Sequence, residues 1–131
     1  MPVAEFVERY YLHDSNIEKI NFDAAKKILT LTIDFCFWLQ PWYNKIKLPN
    51  DLIRVTFNNV SGFEYDDAIA EKIFSDLGSE IHIANIDADR NFTIFAVETA
   101  DYAKQDDIYF SLKINAAAVN VEEFQNRNFK H

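Results

Sequence analysis

The run ILTLTIDFCFWL, Ile28–Leu39, decides how the rest of the chain is read. Its odd positions are Leu29, Leu31, Ile33, Phe35, Phe37 and Leu39, and its even positions include Thr30, Thr32 and Asp34. Successive side chains of a strand point to opposite faces, so a period of two predicts one long strand with an apolar and a mostly polar face. Phe35 and Phe37 then belong to the core, and Trp38 falls on the face of Thr32 and Asp34. Pro41 ends the strand. Trp42 and Tyr43 follow the turn, where they either cap the edge of the core or face water.

Working outward, Ile53, Val55 and Phe57 alternate with polar residues and give another strand, broken by NNVSG (Asn58–Gly62). Asp66 or Asp67 is placed to cap a helix over residues 67–77, with Ile69, Ile73, Phe74 and Leu77 as its apolar stripe. Gly78 suits the left-handed position that closes such a helix. Ile81 and Ile83 start a strand with His82 and Glu80 on its other face. Asp89-Arg90-Asn91 turns it into Phe92–Val97 as a hairpin, and Ile108, Phe110, Leu112 and Ile114 mark the last clear strand. The chain from Ala116 onward has no decisive pattern.

Toward the N-terminus, Val3, Phe6, Val7, Tyr10 and Tyr11 have the spacing of an amphipathic helix behind Pro2. The polar break His13-Asp14-Ser15 and a short strand through Ile20 and Phe22 follow. Short links favour antiparallel neighbours. The expected fold is α+β, a single domain over residues 1–131. It is a twisted, mainly antiparallel sheet of about six strands, with the N-terminal helix and one central helix packed on its apolar face.

Apolar residues make up 49% of the 131, which suits a packed core rather than a disordered chain. Two glycines argue against a phosphate-cradling loop, and the lone Cys36 excludes a disulfide or zinc framework within one chain. No apolar run approaches a membrane span. Glu5 and Glu8 stand where a secretory leader needs basic residues. These features suggest a cytoplasmic protein.

The net charge of −8 is concentrated: residues 64–107 hold twelve acidic and three basic side chains. Such a field repels phosphate backbones, so nucleic acid is not an expected ligand, whereas a basic protein partner would be drawn in.

The chemical candidates are weak. Asp87, Asp89, Asn91, Thr93 and Glu98 match the oxygen-donor spacing of a calcium-binding EF-hand loop, but Phe92 stands where glycine is needed. An extended chain would also carry Glu98 roughly 20 Å from the turn. His13, Asp14 and Ser15 are the residue types of a hydrolase triad, yet three consecutive side chains cannot converge as one. His13 is expected to close the helix end. His82 lacks an identifiable second ligand, and Cys36 an activating base. No catalytic residue, metal site or cofactor is assigned.

YLHDSNIEKI (residues 11–20), LTLTIDF (29–35) and IRVTFNNVSGFE (53–64) together resemble a pattern in small bacterial proteins of unknown function, some of which are similar to immunity proteins of polymorphic-toxin systems. The resemblance implies a bacterial protein that binds and silences a partner, and it carries over no catalytic residues.

The sequence therefore leads to a non-enzymatic protein-binding domain with an acidic surface for a basic partner. Trp38, Trp42, Tyr43, Asp34, Asp66 and Asp67 are the candidate contact residues, because Trp and Tyr bury large areas at little entropic cost. The alternative is a small-molecule-binding domain or enzyme with a cleft on the Asp34/Trp38 face. A homodimer that pairs the wet sheet face or an edge strand is a third arrangement.

Overall fold

In a computed structural model that describes residues 1–101 and 106–124, eight strands form one antiparallel sheet. They are β1 (Asn16–Asp23), β2 (Ile28–Cys36), β3 (Asn50–Asn58), β4 (Gly62–Tyr65), β5 (Ser79–Ile86), β6 (Phe92–Asp101), β7 (Asp106–Asn115) and β8 (Ala118–Glu123). Their order across the sheet is β4-β7-β6-β5-β1-β2-β3-β8. One α-helix, α1 (Val3–Arg9), precedes them, and 3-10 turns occupy Phe37–Leu39 and Asp67–Ile69.

The sheet is curled into a barrel-like wall. Strands β3 and β6 stand four places apart, which in a flat sheet separates them by about 19 Å. Yet the Phe57 and Phe92 rings stack across the interior with centroids 5.6 Å apart. The connections require the same curvature: β3 reaches β4, and β7 reaches β8, through two or three residues although each pair lies at opposite ends of the order. Ser61 N donates to Asn115 O and Ala117 N to Asn58 O, fastening the two links together.

Helix α1 fills the curl. Phe6 is wholly buried and packs edge-on against both Phe57 and Phe92. Val119 N and O on β8 both bond Met1, which pins the chain start beside that strand. Among the described residues, no helix is long and apolar enough to cross a membrane.

This corrects the expected six strands and two helices. The stripe Ile69, Ile73 and Leu77 is buried as expected, but over residues 66–75 the backbone bonds join residues three apart rather than four (Ile69 N to Asp66 O, Ala70 N to Asp67 O, Lys72 N to Ile69 O, Ser75 N to Lys72 O), a short 3-10 turn and two single turns. Leu77 N instead bonds Glu18 O on β1. A dozen residues make a marginal helix at best, and here the three anchors are satisfied without one. Gly78 does not adopt the left-handed conformation expected of it. Positive φ occurs instead at Asp14, Lys27, Asn59 and Arg90, all outside the strands, and two of the four, Asp14 and Asn59, are residue types that tolerate it. The two added strands, β4 and β8, are short, and each pairs with a strand remote in sequence.

β2 also stops earlier than the alternation predicts. After Cys36 the chain tightens into the 3-10 turn, and Trp38 N donates to Pro49 O rather than to a neighbouring strand. Trp38 therefore no longer shares a strand face with Asp34, and the cleft that reading placed between them loses its geometric basis.

Candidate functional site

The acidic segment of the sequence becomes a surface at the β4 edge of the sheet. Tyr65 closes β4 and stays exposed, because nothing pairs beyond that short strand. Its ring meets Phe63 at 5.5 Å and Phe74 at 6.0 Å, and Phe63 meets Phe22 of β1 at 5.3 Å. A chain of four aromatic rings thus runs from the rim of the core to the surface and ends at Phe74, which is 49% exposed. Phe74 was expected inside with Ile73; with the helix absent, Ile69, Ile73 and Leu77 plug the core while Phe74 turns out onto Tyr65.

Carboxylates flank this aromatic end along the chain. Glu64, Asp66, Asp67, Glu71 and Asp76 are all exposed. A cleft of about 540 Å³ opens beside Tyr65, lined also by Glu64, Asp66, Ser111 and Lys113. Asp66 helps shape it: its Oδ2 accepts Ser111 N at 2.8 Å, taking the β7 amide that a longer β4 would have paired. The acidity was legible in the sequence. The exposed Tyr65–Phe74 pair was not, since it depends on where β4 ends.

The other sequence candidates lie elsewhere. Trp38 is 52% exposed on its 3-10 turn. Trp42 belongs to the edge of the core: its ring packs on Tyr10, Phe35 and Phe37, its Nε1 donates to Arg9 O, and the Lys47 ammonium stands 5.1 Å over it. Tyr43 is half-buried and donates its hydroxyl to Lys47 O. Asp34 lies on the outer face of β2, five strands from β4 in the order. Of the six, Asp66 lines the β4-edge cleft, while Trp42 and Tyr43 both pack about Lys47.

Asp34 has a different consequence. Burial, then the Asp51 carboxylate, pushes its pKa up, and Glu18 is raised by burial, then by Asp34 and Glu98. A carboxyl whose pKa is raised on folding binds its proton more tightly in the native state. Stability is therefore lost as pH climbs from the ordinary carboxylate range through the raised value, and the penalty persists above it. Asp34→Asn is expected to raise the melting temperature at about pH 7, with the gain vanishing at about pH 3. Equal gains at both pH values would disprove the repulsion.

A second feature occupies the outer face of β5, β6 and β7. At His82 the β5–β6 register slips, so Ile81 points inward while Ile83 faces out, contrary to their expected common face. Ile83 lies beside Phe95, whose ring stacks on Tyr109 at 6.0 Å, and the His82 ring meets both edge-on.

The remaining polar candidates are structural. His13 lies beyond the helix end it was expected to close; its Nδ1–H donates to His82 O at 2.8 Å, and Nε2 faces Asp14 at 3.3 Å. Ser15 is buried and its Oγ accepts Cys36 N. Burial pushes the Cys36 thiol up, away from reactivity. Asp87 caps its own hairpin turn, accepting Asp89 N and Asn91 N, and these backbone bonds, that from Asn91 foremost, hold its carboxyl below the usual range. Glu98 is buried, accepting Ser79 Oγ and Gly78 N. Among the described residues, no three His, Cys, Asp or Glu side chains form a metal-binding group.

No protein-family model matches the chain, and neither does any curated protein. A crystal structure of an uncharacterized protein from Neisseria gonorrhoeae aligns over 87% of this chain and 95% of its own, at 14% identity and a TM-score of 0.41.

Proposed function

We propose that the protein is a bacterial, cytoplasmic, non-enzymatic domain that binds a basic protein partner at the β4 edge. The observation that carries this reading is the exposed Tyr65–Phe74 ring pair, with five exposed carboxylates beside it in the sequence. Exposed aromatic faces attract guanidinium and ammonium groups. The carboxylates beside them supply ion pairs and steer the approach. An aromatic centre with a charged rim is also the usual anatomy of a protein interface. Silencing a toxin, the role implied by the resemblance to immunity proteins, is one instance of such binding.

The test begins by capturing a partner from a bacterial lysate, identifying it and measuring the purified complex. Phe74→Ala is expected to weaken binding by more than about tenfold, as an aromatic anchor does, while leaving the melting temperature nearly unchanged. Asp67→Lys with Glu71→Lys should slow association and flatten its dependence on salt, since exposed charges are screened over about 10 Å at 0.1 M. A partner that binds both variants as it binds the wild type would remove this site from the reading.

A further inference from the structure

We infer that the outer face of β5–β6–β7 is a self-association surface that takes a second copy of this chain about a two-fold axis. The face is apolar at its centre: Ile83 and Tyr109 are each 56% exposed and Phe95 is 38% exposed, and these three touch in a continuous cluster with His82. Monomers seldom leave such a cluster open on a sheet.

Charge identifies the occupant. Strand register sets the outward side chains in rows. Glu80 of β5, Val97 of β6 and Tyr109 of β7 form one row; Ile83, Phe95 and Ser111 form the next; Asn85, Thr93 and Lys113 form the third. The carboxylate of Glu80 and the ammonium of Lys113 therefore stand at diagonally opposite corners around Phe95. A two-fold axis along the Phe95–Tyr109 line lays each ring on its counterpart. It also brings Glu80 of one copy within side-chain reach of Lys113 on the other. The strands then cross at a wide angle, the orthogonal form of sheet packing. A face that is apolar in the middle and carries opposite charges at exchanged corners complements itself, which is what an isologous interface requires. Ser111 and Lys113 also line the β4-edge cleft, and Glu64 pairs with Lys113 across β4 and β7, so the two surfaces adjoin; Phe95 belongs to this face alone and tells them apart.

Sedimentation equilibrium of the full chain over a wide concentration range tests it. The expected result is a monomer–dimer equilibrium that Phe95→Arg abolishes without lowering the melting temperature. Lys113→Glu should weaken the dimer by about tenfold, and adding Glu80→Lys to it should restore the dimer, because the exchanged corners match again. A chain that stays monomeric at every concentration overturns the inference, as does a dimer indifferent to Phe95→Arg. Failure of the double variant to recover overturns it too, and so does a monomer whose Phe95→Arg form loses a basic partner.

Discussion

Phe6→Ala is expected to destabilise the protein by about 3–5 kcal/mol, measured by denaturant unfolding. Helix α1 has seven residues, too few to hold itself together in water. Its place depends on what it buries. Phe6 is the centre of that contact, fully enclosed and touching Tyr10 of its own turn, Phe57 of β3 and Phe92 of β6. Those two strands are held face to face around it, so truncation leaves a void where the walls of the curl meet and cannot collapse without flattening the sheet. The expected loss is a large share of a domain stability of roughly 5–15 kcal/mol. Phe6→Leu should cost clearly less, because more of the volume stays filled. Phe74→Ala is the control, an equally large truncation at an exposed ring, and should change stability by no more than about 0.5 kcal/mol. A Phe6→Ala protein with the same unfolding midpoint as Phe74→Ala would mean that the helix is not what fills the barrel.

How much of this could be read from the chain depends on how local each feature is. Strand β2 was legible because its signal is complete within itself: Leu29, Leu31, Ile33 and Phe35 alternate and are all buried. Phe37 is buried as well, but for a different reason, since the strand has already ended. The hairpin from β5 to β6 was legible because its turn residues sit between two apolar runs. By contrast, β4 is four residues long, and its partner β7 lies some fifty residues downstream. No local pattern announces such a pairing. The spacing of Ile69, Ile73 and Leu77 correctly marked inward side chains, yet a series of tight turns buries the same three positions as a helix would. Ile83 was misplaced because a bulge is a relation between two strands, invisible in either alone. For the site, the acidity around Asp66 and Asp67 was in the composition. The aromatic pair that makes this acidity specific depends on where β4 ends and on Phe74 turning away from the core.

Gln40→Ala is expected to cost about 2–4 kcal/mol, an effect out of proportion to one glutamine on a turn. The side chain is only 4% exposed, and its amide works as one rung of a sheet. Oε1 accepts Tyr11 N at 2.8 Å, while Nε2 donates to Tyr11 O at 2.8 Å and to Cys36 O at 3.0 Å. This pattern fixes which end of the amide is oxygen, because an N–H must meet an acceptor and two carbonyls must meet donors. Through it the turn after β2 holds the linker between α1 and β1, which lacks a strand partner at Tyr11. Alanine removes all three bonds and leaves an amide and two carbonyls short of partners in a place water reaches poorly. Gln40→Leu keeps much of the volume without the bonds, so a cost equal to that of alanine assigns the loss to hydrogen bonding rather than packing. Gln40→Glu keeps the bond from Tyr11 N but sets a carboxylate against two carbonyls. Its proton should be held more tightly in the folded state, so that variant should regain stability as pH falls and lose it as pH rises. Hydrogen exchange at the Tyr11 amide gives the local readout, with protection lost in Gln40→Ala and Gln40→Leu and retained in Gln40→Glu at low pH. Unchanged Tyr11 protection in Gln40→Ala would show that the linker is held by something other than this amide.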